Sequence, residues 1–370
     1  MTIINFMSRI IFEEGAVRLL PDEISRLNVT HPLIITDKGV LPIAEQCLSL
    51  LEGKAVIFDG VTFNPSEDAV AAGLKMYQEN KCDGIVSVGG GSAIDLAKAV
   101  GVMATHPGEL WDYSVKIGGV DAMGETVPTI AIPTAAGTGA EVGRAASVIF
   151  NNGVKAALVG LVLLPKTVIC DPELTYSLPP RFTAATGIDA LSHGIETYVS
   201  TACNPPAEAI ALDCVKRCAT WLPAVMADPD NKVARREMMM ASLEGGLALQ
   251  KGLGAIHAAT HPLGALGHHH GELNGILLPP VIRMNRKFAT EKYEALEAAV
   301  GLKDGVTLDQ WIEGMLEDFS MPKYLKDIGV DRSLLPQIAE DSVGEHLNLT
   351  NPKPLSREEF LEVLEDAYAA

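Results

Sequence analysis

The sequence lacks the features of secreted, membrane-spanning and nucleic-acid-binding proteins. Its six cysteines contain no C-x-x-C pair, which argues against a disulfide scaffold and against a thiolate zinc site. No uncharged apolar run is long enough to cross a bilayer, and the first residues have no basic segment followed by an apolar core. The formal net charge of −18 argues against binding to a phosphate backbone. These absences predict a cytoplasmic protein with no nucleic-acid partner and no membrane partner.

The two halves of the chain have different patterns of apolar residues. A length of 370 residues suggests two domains, because one compact core rarely grows that large. Up to about residue 180, helical stretches alternate with short apolar runs that are typical of buried parallel strands. These runs are PLIITD (Pro32–Asp37), KAVIFD (Lys54–Asp59), DGIVSVGGG (Asp83–Gly91) and TIAIPT (Thr129–Thr134).

From about Arg181 onward, the apolar spacing is mostly helical. Near the end of the chain, Ser356 followed by Glu359 has the spacing of a capping box and predicts a terminal helix. We therefore predict an α/β domain with a doubly wound parallel sheet over residues 1–180 and an all-helical domain over residues 181–370.

Glycine-containing turns follow two of the predicted strands. Gly89–Gly91 lie between a strand and a helix, where the backbone can approach a phosphate and Ser92 is placed to cap the helix. The second turn, PTAAGTGAEVGR, offers the hydroxyls of Thr134 and Thr138. Asp37 also ends a strand, where a carboxylate can accept a hydrogen bond from a ribose hydroxyl. The triplet is not the G-x-G-x-x-G fingerprint, so a tight turn without a ligand is the alternative for Gly89–Gly91. The alternative for Asp37 is an ordinary acidic turn residue.

Histidines and one aspartate in the second half have the spacing of metal ligands. Asp189 and His193 are four residues apart, as are His257 and His261, so each pair lies on one face of a predicted helix. Either pair alone is better explained by a capped or solvated helix face. Together with His268–His270 they predict a site for Fe²⁺, Zn²⁺ or a similar divalent ion, which suits carboxylate and imidazole ligands. Adjacent side chains cannot all point at one ion, so we expect one ligand within the triplet.

Seven motifs, in order along nearly the whole chain, resemble those of the iron-containing alcohol dehydrogenases. They are GGGSAIDLAK, PTAAGTGAE, DPELTYSLP, TGIDALSHGIE, HAATHPLGA, HGELNGILLP and TNPKP. The resemblance implies a Rossmann-like, NAD-binding α/β domain followed by a helical metal- and substrate-binding domain. It also implies that the cofactors are NAD and a divalent metal, Fe²⁺ or alternatively Zn²⁺.

The same resemblance implies roles for individual residues. It makes His261 a histidine near the reacting carbon, and it associates Asp37 with a preference for NAD over NADP. The implied metal ligands are Asp189, His193, His257 and His270. The implied cofactor-binding residues are Asp37, Asn64, Gly90, Gly91, Ser92, Asp95, Thr134, Thr138 and Lys155. The segment from His261 to His270 is one residue shorter than is usual in the family, which leaves His269 as a competing ligand.

The segments LQKGLGAIHA and HHHGELN are most similar to the branch that includes bacterial 4-hydroxybutyrate dehydrogenases. This similarity implies reversible oxidation of a primary alcohol to an aldehyde by a homo-oligomer, a dimer or larger. A hydroxy-acid substrate needs a cation for its carboxylate, and the candidates are Lys251 and Arg144, with surface ion pairs as their alternative role. The alternative functions are a short-chain alcohol or diol dehydrogenase, a dehydroquinate synthase-like lyase, and a metal- or nucleotide-binding protein without turnover.

Overall fold

The computed structural model describes residues 8–368, which divide into two compact units. The α/β unit consists of the described chain up to Ala135 together with Gly139–Leu178. The helical unit consists of Ala136–Thr138 and the described chain from Pro179 onward. Each unit has its own secondary structure and its own buried side chains.

A parallel sheet forms the centre of the α/β unit. The strands of this unit are β1 (Arg9–Phe12), β2 (Pro32–Ile35), β3 (Val56–Phe58), β4 (Gly84–Gly89), β5 (Thr129–Pro133), β6 (Ala145–Ile149), β7 (Lys155–Val159) and β8 (Thr167–Cys170). Its α-helices are α1 (Leu20–Arg26), α2 (Leu41–Leu50), α3 (Glu67–Glu79) and α4 (Gly91–Met103). Six strands pair in parallel in the order β1-β8-β5-β4-β2-β3, whereas β6 and β7 form a separate antiparallel hairpin.

The predicted fold class is confirmed, and the four predicted strand runs contain β2 to β5. Neither the two strands at the β1 side of the sheet nor the β6–β7 hairpin was predicted. Strand β6 reads AASVI, in which small residues hide the alternation of a strand.

Both faces of the sheet are covered, which explains why its strands are continuous apolar runs. Along β2, Leu33 and Ile35 belong to one buried cluster and Ile34 belongs to another. Along β4, Ile85 and Val86 divide in the same way. Successive side chains of a strand point to opposite faces, so each strand contributes to two cores.

The strand order reverses beside β2. The chain passes from β2 to the edge strand β3 and then returns to β4 on the other side of β2. In open parallel sheets, such a reversal leaves a crevice at the carboxyl ends of the two strands, where ligands bind. Here those ends are Ile35 of β2 and Gly89 of β4.

Nine described α-helices form the helical unit, in which α5 packs against α6, α7 and α9. Their bounds are α5 (Pro180–Val199), α6 (Pro205–Ala227), α7 (Lys232–Ala248), α8 (Ala255–Ala265), α9 (His270–Arg286), α10 (Thr290–Val300), α11 (Leu308–Asp318), α12 (Leu335–Val343) and α13 (Arg357–Tyr368). The capping box before α13 is confirmed, since Ser356 Oγ accepts from Glu359 N–H at 3.3 Å and Glu359 Oε2 accepts from Ser356 N–H at 2.9 Å. Among the described helices, none has the length and apolar character needed to cross a membrane.

A buried lysine holds the chain that follows β5. The Lys98 ammonium, on α4, donates to the carbonyl oxygens of Ala140, Gly143 and Ala145 at 2.7, 2.7 and 2.8 Å. Burial lowers the pKa of Lys98 to about 8, against the attraction of the nearby acidic groups. All three N–H bonds are used, so this side chain fixes the path of the chain between β5 and β6.

We expect Lys98→Met to destabilise the protein by about 2–4 kcal/mol, because it leaves three carbonyl oxygens without their donor in a buried site. The measurement is denaturant unfolding followed by circular dichroism. Lys75→Met is the control, since the Lys75 side chain is 73% exposed and its nearest ion-pair distance is 3.8 Å. If Lys98→Met lowers the free energy of unfolding no more than Lys75→Met does, Lys98 does not stabilise the chain between β5 and β6.

Candidate metal centre and nucleotide site

Helix α5 places three ionisable side chains on one buried face. Asp189, His193 and Glu196 have D-x-x-x-H-x-x-E spacing, which puts them on successive turns of the same side. Their exposed fractions are 2%, 4% and 3%. Buried polar groups at this density need partners within the protein or in a bound ligand.

Helix α8 begins against the Glu196 carboxylate. Glu196 Oε1 accepts from Ile256 N–H at 2.7 Å, and Glu196 Oε2 lies 2.6 Å from His257 Nδ1. Asn351, in the TNPKP motif, accepts from Ala255 N–H at 3.1 Å. Two distant side chains thus satisfy the start of α8, and one of them also orients His257. Since an ionised carboxylate only accepts hydrogen bonds, Nδ1 carries a proton and Nε2 is the nitrogen left for a ligand.

Three imidazole nitrogens surround one carboxylate oxygen. The Nε2 atoms of His193, His257 and His270 lie 3.6, 3.8 and 3.7 Å from Asp189 Oδ1. The ligand atoms of Asp189, His257 and His270 all lie within 4.8 Å of one another. Four atoms that bind one ion at ~2.1 Å in a tetrahedron are about 3.4 Å apart. The ligand atoms of Asp189, His257 and His270 are therefore placed to hold a divalent metal ion, and His193 Nε2 lies 3.6 Å from the same carboxylate oxygen.

An asparagine on α9 completes the surroundings of these atoms. Asn274 Nδ2 donates to Asp189 Oδ1 at 2.7 Å and lies 3.2 Å from His257 Nε2. The orientation of the amide is fixed by Thr260, whose hydroxyl donates to Asn274 Oδ1 at 2.7 Å. The donor from Asn274 favours the ionised form of Asp189, which is the form that binds a metal.

Asp189 and His193 are in the protonation states that bind a metal, whereas His257 carries a proton that a metal would have to replace. Burial acts to raise the pKa of Asp189, but His193, His270 and His257 lower it well below its ordinary value. Burial lowers the pKa of His193 to about 4, so that ring is neutral. Burial also acts to lower the pKa of His257, but the carboxylates of Asp189 and Glu196 raise it to about 9. A metal ion must therefore displace a proton from His257.

The third ligand-bearing helix, α9, starts at His270. The next residue, Gly271, approaches α5 so closely that a Cβ there would lie 2.2 Å from the Ala185 carbonyl oxygen. His269 instead packs against an aromatic ring, with its centroid 5.7 Å from that of Phe182. The close contact at Gly271 brings His270, the first residue of α9, to Asp189.

His261 lies one turn after His257 on α8. Its Nδ1 is 3.0 Å from Glu345 Oε2, and both side chains are buried. A buried carboxylate on one ring nitrogen is a common way to orient a histidine that transfers protons.

The carboxyl ends of β2, β4 and β5 bring several predicted cofactor-binding residues together. Thr134 N–H donates to the Gly89 carbonyl at 3.0 Å, which joins the end of β5 to the glycine turn. A Cβ at Gly89 would lie 3.5 Å from Asp37 Oδ2, so the Asp37 carboxylate is beside that turn. Asp37 Oδ1 also accepts from Gly39 N–H at 2.7 Å. These residues occupy the crevice where the strand order reverses.

The N-terminus of α4 faces the same crevice. Gly90 is the N-cap residue, and no side chain among the described residues caps this helix. The expectation that Ser92 caps α4 was wrong, because the helix begins at Gly91 and Ser92 lies within its first turn. The uncapped N–H groups and the helix dipole are suited to a phosphate.

The other predicted cofactor-binding residues make contacts of their own. Lys155 Nζ donates to Asn64 Oδ1 at 2.7 Å, and Asp95 accepts from Ser147 N–H at 3.0 Å. Burial raises the pKa of Asp95 to about 6, against the effect of nearby lysines that include Lys155. Thr138 belongs to the helical unit.

The prediction that Lys251 meets a substrate carboxylate conflicts with its contacts. Its ammonium is 2.8 Å from Glu208 Oε2 and also donates to three carbonyl oxygens. These are the carbonyls of Thr197, Tyr198 and Ser200, at 2.9, 2.9 and 2.8 Å. An ammonium has three N–H bonds, so protein oxygens use all of them. Arg144, by contrast, is exposed.

Three residues of the site were not predicted. Glu196 had a signal, since it continues the spacing of Asp189 and His193 on one helix face. Asn274 had a weaker one, four residues after His270. Glu345 had none, because it lies 84 residues from the histidine that it contacts.

Comparison with known proteins agrees with these observations. The family model described as "Iron-containing alcohol dehydrogenase" matches residues 7–172. The model described as "Fe-containing alcohol dehydrogenase family, C-terminal" matches residues 183–368. The 4-hydroxybutyrate dehydrogenase of Cupriavidus necator is 39% identical over 99% of this chain and 100% of its own length.

Two solved structures show the same fold. A 1,3-propanediol oxidoreductase has a TM-score of 0.92 and 31% identity, over 99% of this chain and 100% of its own. The sulfoacetaldehyde reductase of Bifidobacterium kashiwanohense, in complex with NAD⁺, has a TM-score of 0.90 and 28% identity, over 100% and 99% of the two chains. The resemblance predicted from the seven motifs is confirmed, and the chain belongs to the iron-containing alcohol dehydrogenase family.

Proposed function

We propose that the protein catalyses the reversible, NAD-dependent oxidation of a primary alcohol to an aldehyde, with a 4-hydroxybutyrate-like ω-hydroxy acid as the alcohol. The observation that supports a metal-dependent reaction is the buried group in which three Nε2 atoms lie 3.6, 3.8 and 3.7 Å from Asp189 Oδ1. In this proposal, residues 1–180 bind NAD, and residues 181–370 bind the metal and the substrate.

The metal would be held by Asp189, His193, His257 and His270. Iron is our first choice because the family is described as iron-containing, and Zn²⁺ suits the same ligands. A divalent ion here would act as a Lewis acid that stabilises negative charge on the alcohol oxygen. The protein holds its ligands ready: Glu196 orients His257, and Asn274 supports the charge on Asp189.

The protein's own part in the chemistry is proton transfer and positioning. His261 accepts the hydroxyl proton during oxidation and returns it during reduction, a role that suits the near-neutral pKa of imidazole. NAD would supply the hydride acceptor, since side chains cannot accept hydride.

We propose that NAD binds at the glycine turn after β4. The uncapped start of α4 at Gly90 and Gly91 fits the pyrophosphate, and Thr134 lies beside it. The Asp37 carboxylate next to the turn favours a ribose hydroxyl and repels the 2′-phosphate of NADP. The NAD⁺ complex of the sulfoacetaldehyde reductase supports the choice of cofactor.

The names of two similar proteins support a substrate with an anionic group. One is a 4-hydroxybutyrate dehydrogenase and the other a sulfoacetaldehyde reductase, so both compounds carry an acidic group. Arg144 is the remaining candidate to bind it. A diol without a carboxylate is the second candidate substrate, because a 1,3-propanediol oxidoreductase has the same fold.

We also propose a cytoplasmic enzyme that assembles into dimers or larger homo-oligomers. All six cysteines lie within the described residues and are unpaired, which is typical of a reducing compartment. The assembly is an expectation from the family resemblance.

The proposed function is tested by a substrate panel on protein loaded with Fe²⁺ or Zn²⁺. We expect NADH formation with kcat/KM for 4-hydroxybutyrate about tenfold or more above that for 1-butanol and 1,3-propanediol, because one charge-assisted hydrogen bond contributes about that factor. Arg144→Met should reduce kcat/KM for the hydroxy acid and leave that for 1-butanol unchanged. Equal values with the diol would favour the second candidate, and no NADH with any alcohol would refute the dehydrogenase.

We expect Glu196→Gln to weaken metal binding about 10- to 100-fold. The amide nitrogen of Gln would donate to His257 Nδ1, which moves the ring proton to Nε2 and removes the lone pair that binds the metal. The measurement is competition with a chelator of known affinity. Glu317→Gln serves as the control, since the Glu317 side chain is 74% exposed. Unchanged affinity in the Glu196 variant would show that this carboxylate does not orient a ligand.

Metal affinity should rise with pH between 6.5 and about 9 by roughly one logarithmic unit per pH unit, because His257 in the metal-free protein has a pKa of about 9 and must lose its proton. His193, with a pKa of about 4, is already neutral over this range and adds no further slope. Chelator competition with Zn²⁺ at several pH values measures the slope. A flat profile would contradict a protonated His257.

A further inference from the structure

The two histidines of α8 are oriented in the same way. His257 Nδ1 lies 2.6 Å from Glu196 Oε2, and His261 Nδ1 lies 3.0 Å from Glu345 Oε2. The two glutamates come from different places: Glu196 from α5, and Glu345 from the residue before the 3₁₀ helix His346–Thr350. Both are buried, with exposed fractions of 3% and 5%. Because buried carboxylates are costly unless they are paired, the contact with a histidine helps to stabilise each glutamate.

This arrangement determines which nitrogen of each ring carries the lone pair. An ionised carboxylate can only accept, so Nδ1 donates and the neutral ring has its lone pair on Nε2. For His257 that nitrogen belongs to the group around Asp189, 3.8 Å from its Oδ1. For His261, one turn further along the same helix face, Nε2 is likewise the nitrogen able to take a proton.

The position of Glu345 is fixed by its own backbone. Its N–H donates to the Ser342 carbonyl at 3.2 Å, and its carbonyl accepts from Asn348 N–H at 3.1 Å. The side chain of Asn348 in turn bonds both backbone groups of Leu355, at 3.0 and 2.8 Å. These hydrogen bonds therefore fix the segment that places the Glu345 carboxylate beside His261.

We propose that Glu345 is a positioning residue for the reaction: it holds His261 in the Nδ1–H tautomer and stabilises the imidazolium formed when Nε2 takes the alcohol proton. The proposal rests on the role of His261 in the proposed function. During oxidation the hydroxyl O–H bond breaks and an Nε2–H bond forms, while the hydride passes from the carbinol carbon to NAD. In reduction the same proton returns to the oxygen.

The rival explanation is that Glu345 only braces α8 against the segment that follows α12. A double-mutant cycle separates the two, because a residue that acts through His261 has nothing left to act on once the imidazole is removed. The variants are Glu345→Gln, Glu345→Asp, His261→Ala and the double variant Glu345→Gln/His261→Ala, all loaded with Zn²⁺. Glu340→Gln is the matched control, since the Glu340 side chain is 61% exposed on α12.

We expect Glu345→Gln to lower kcat about 10- to 100-fold, with zinc content and KM for NAD within about twofold of the unmodified protein. Glu345→Asp should retain most of kcat, because a shorter carboxylate still accepts from Nδ1. In the His261→Ala background, Glu345→Gln should have no further effect. Nitrogen-15 NMR of histidine-labelled protein should show the His261 ring, identified by its absence in His261→Ala, as the Nδ1–H tautomer that Glu345→Gln alters.

Two results would overturn the proposal. One is a loss from Glu345→Gln that is equally large with and without His261, which would make the role structural. The other is an unchanged kcat together with an unchanged tautomer. Failure of the underlying proposed function looks different: His261→Ala would then keep full activity by itself, whatever the effect of Glu345→Gln.

Discussion

The candidate metal centre depends on the contacts that the Glu196 carboxylate makes with helix α8. From α5 it reaches the first turn of α8, where it accepts from Ile256 N–H and contacts His257 Nδ1. Negative charge at a helix N-terminus is stabilised by about 0.3–1 kcal/mol, and by up to ~2 kcal/mol where it is partly buried. One side chain therefore joins two helices, satisfies a helix end and selects the nitrogen that faces Asp189.

Glycines at two positions allow the helices to come close enough for this arrangement. A Cβ at Gly254, just before α8, would lie 2.9 Å from Glu196 Oε1 and 2.6 Å from Asn351 Oδ1. A Cβ at Gly271 would collide with the backbone of α5. Because these glycines have no side chain, the backbones approach closely enough for Asp189 and the histidines to meet. A buried group of this kind is costly to hold without an ion, so metal binding is expected to stabilise the folded protein.

The sequence was sufficient for the fold class and for the helices that carry the ligand candidates. Strands buried on both faces appear as apolar runs, and i, i+4 pairs reveal a shared helix face, so β2 to β5 and the Asp189–His193 pair were visible locally. Glu345 and Asn351 were not, since their contacts join segments far apart in sequence. Lys251 shows the opposite error: a lysine that looked available for a substrate is used entirely by protein oxygens. Composition does not show that all three N–H bonds of the Lys251 ammonium are already used.

The proposed function requires above all that one divalent ion binds to Asp189, His193, His257 and His270. The most direct measurement is anomalous diffraction at the iron K edge from crystals of the Fe²⁺-loaded protein. We expect one strong peak per chain, with an Asp189 oxygen and the three Nε2 atoms at about 2.0–2.2 Å from it. A peak bound by His269 instead of His270, or a peak away from these four residues, would contradict it.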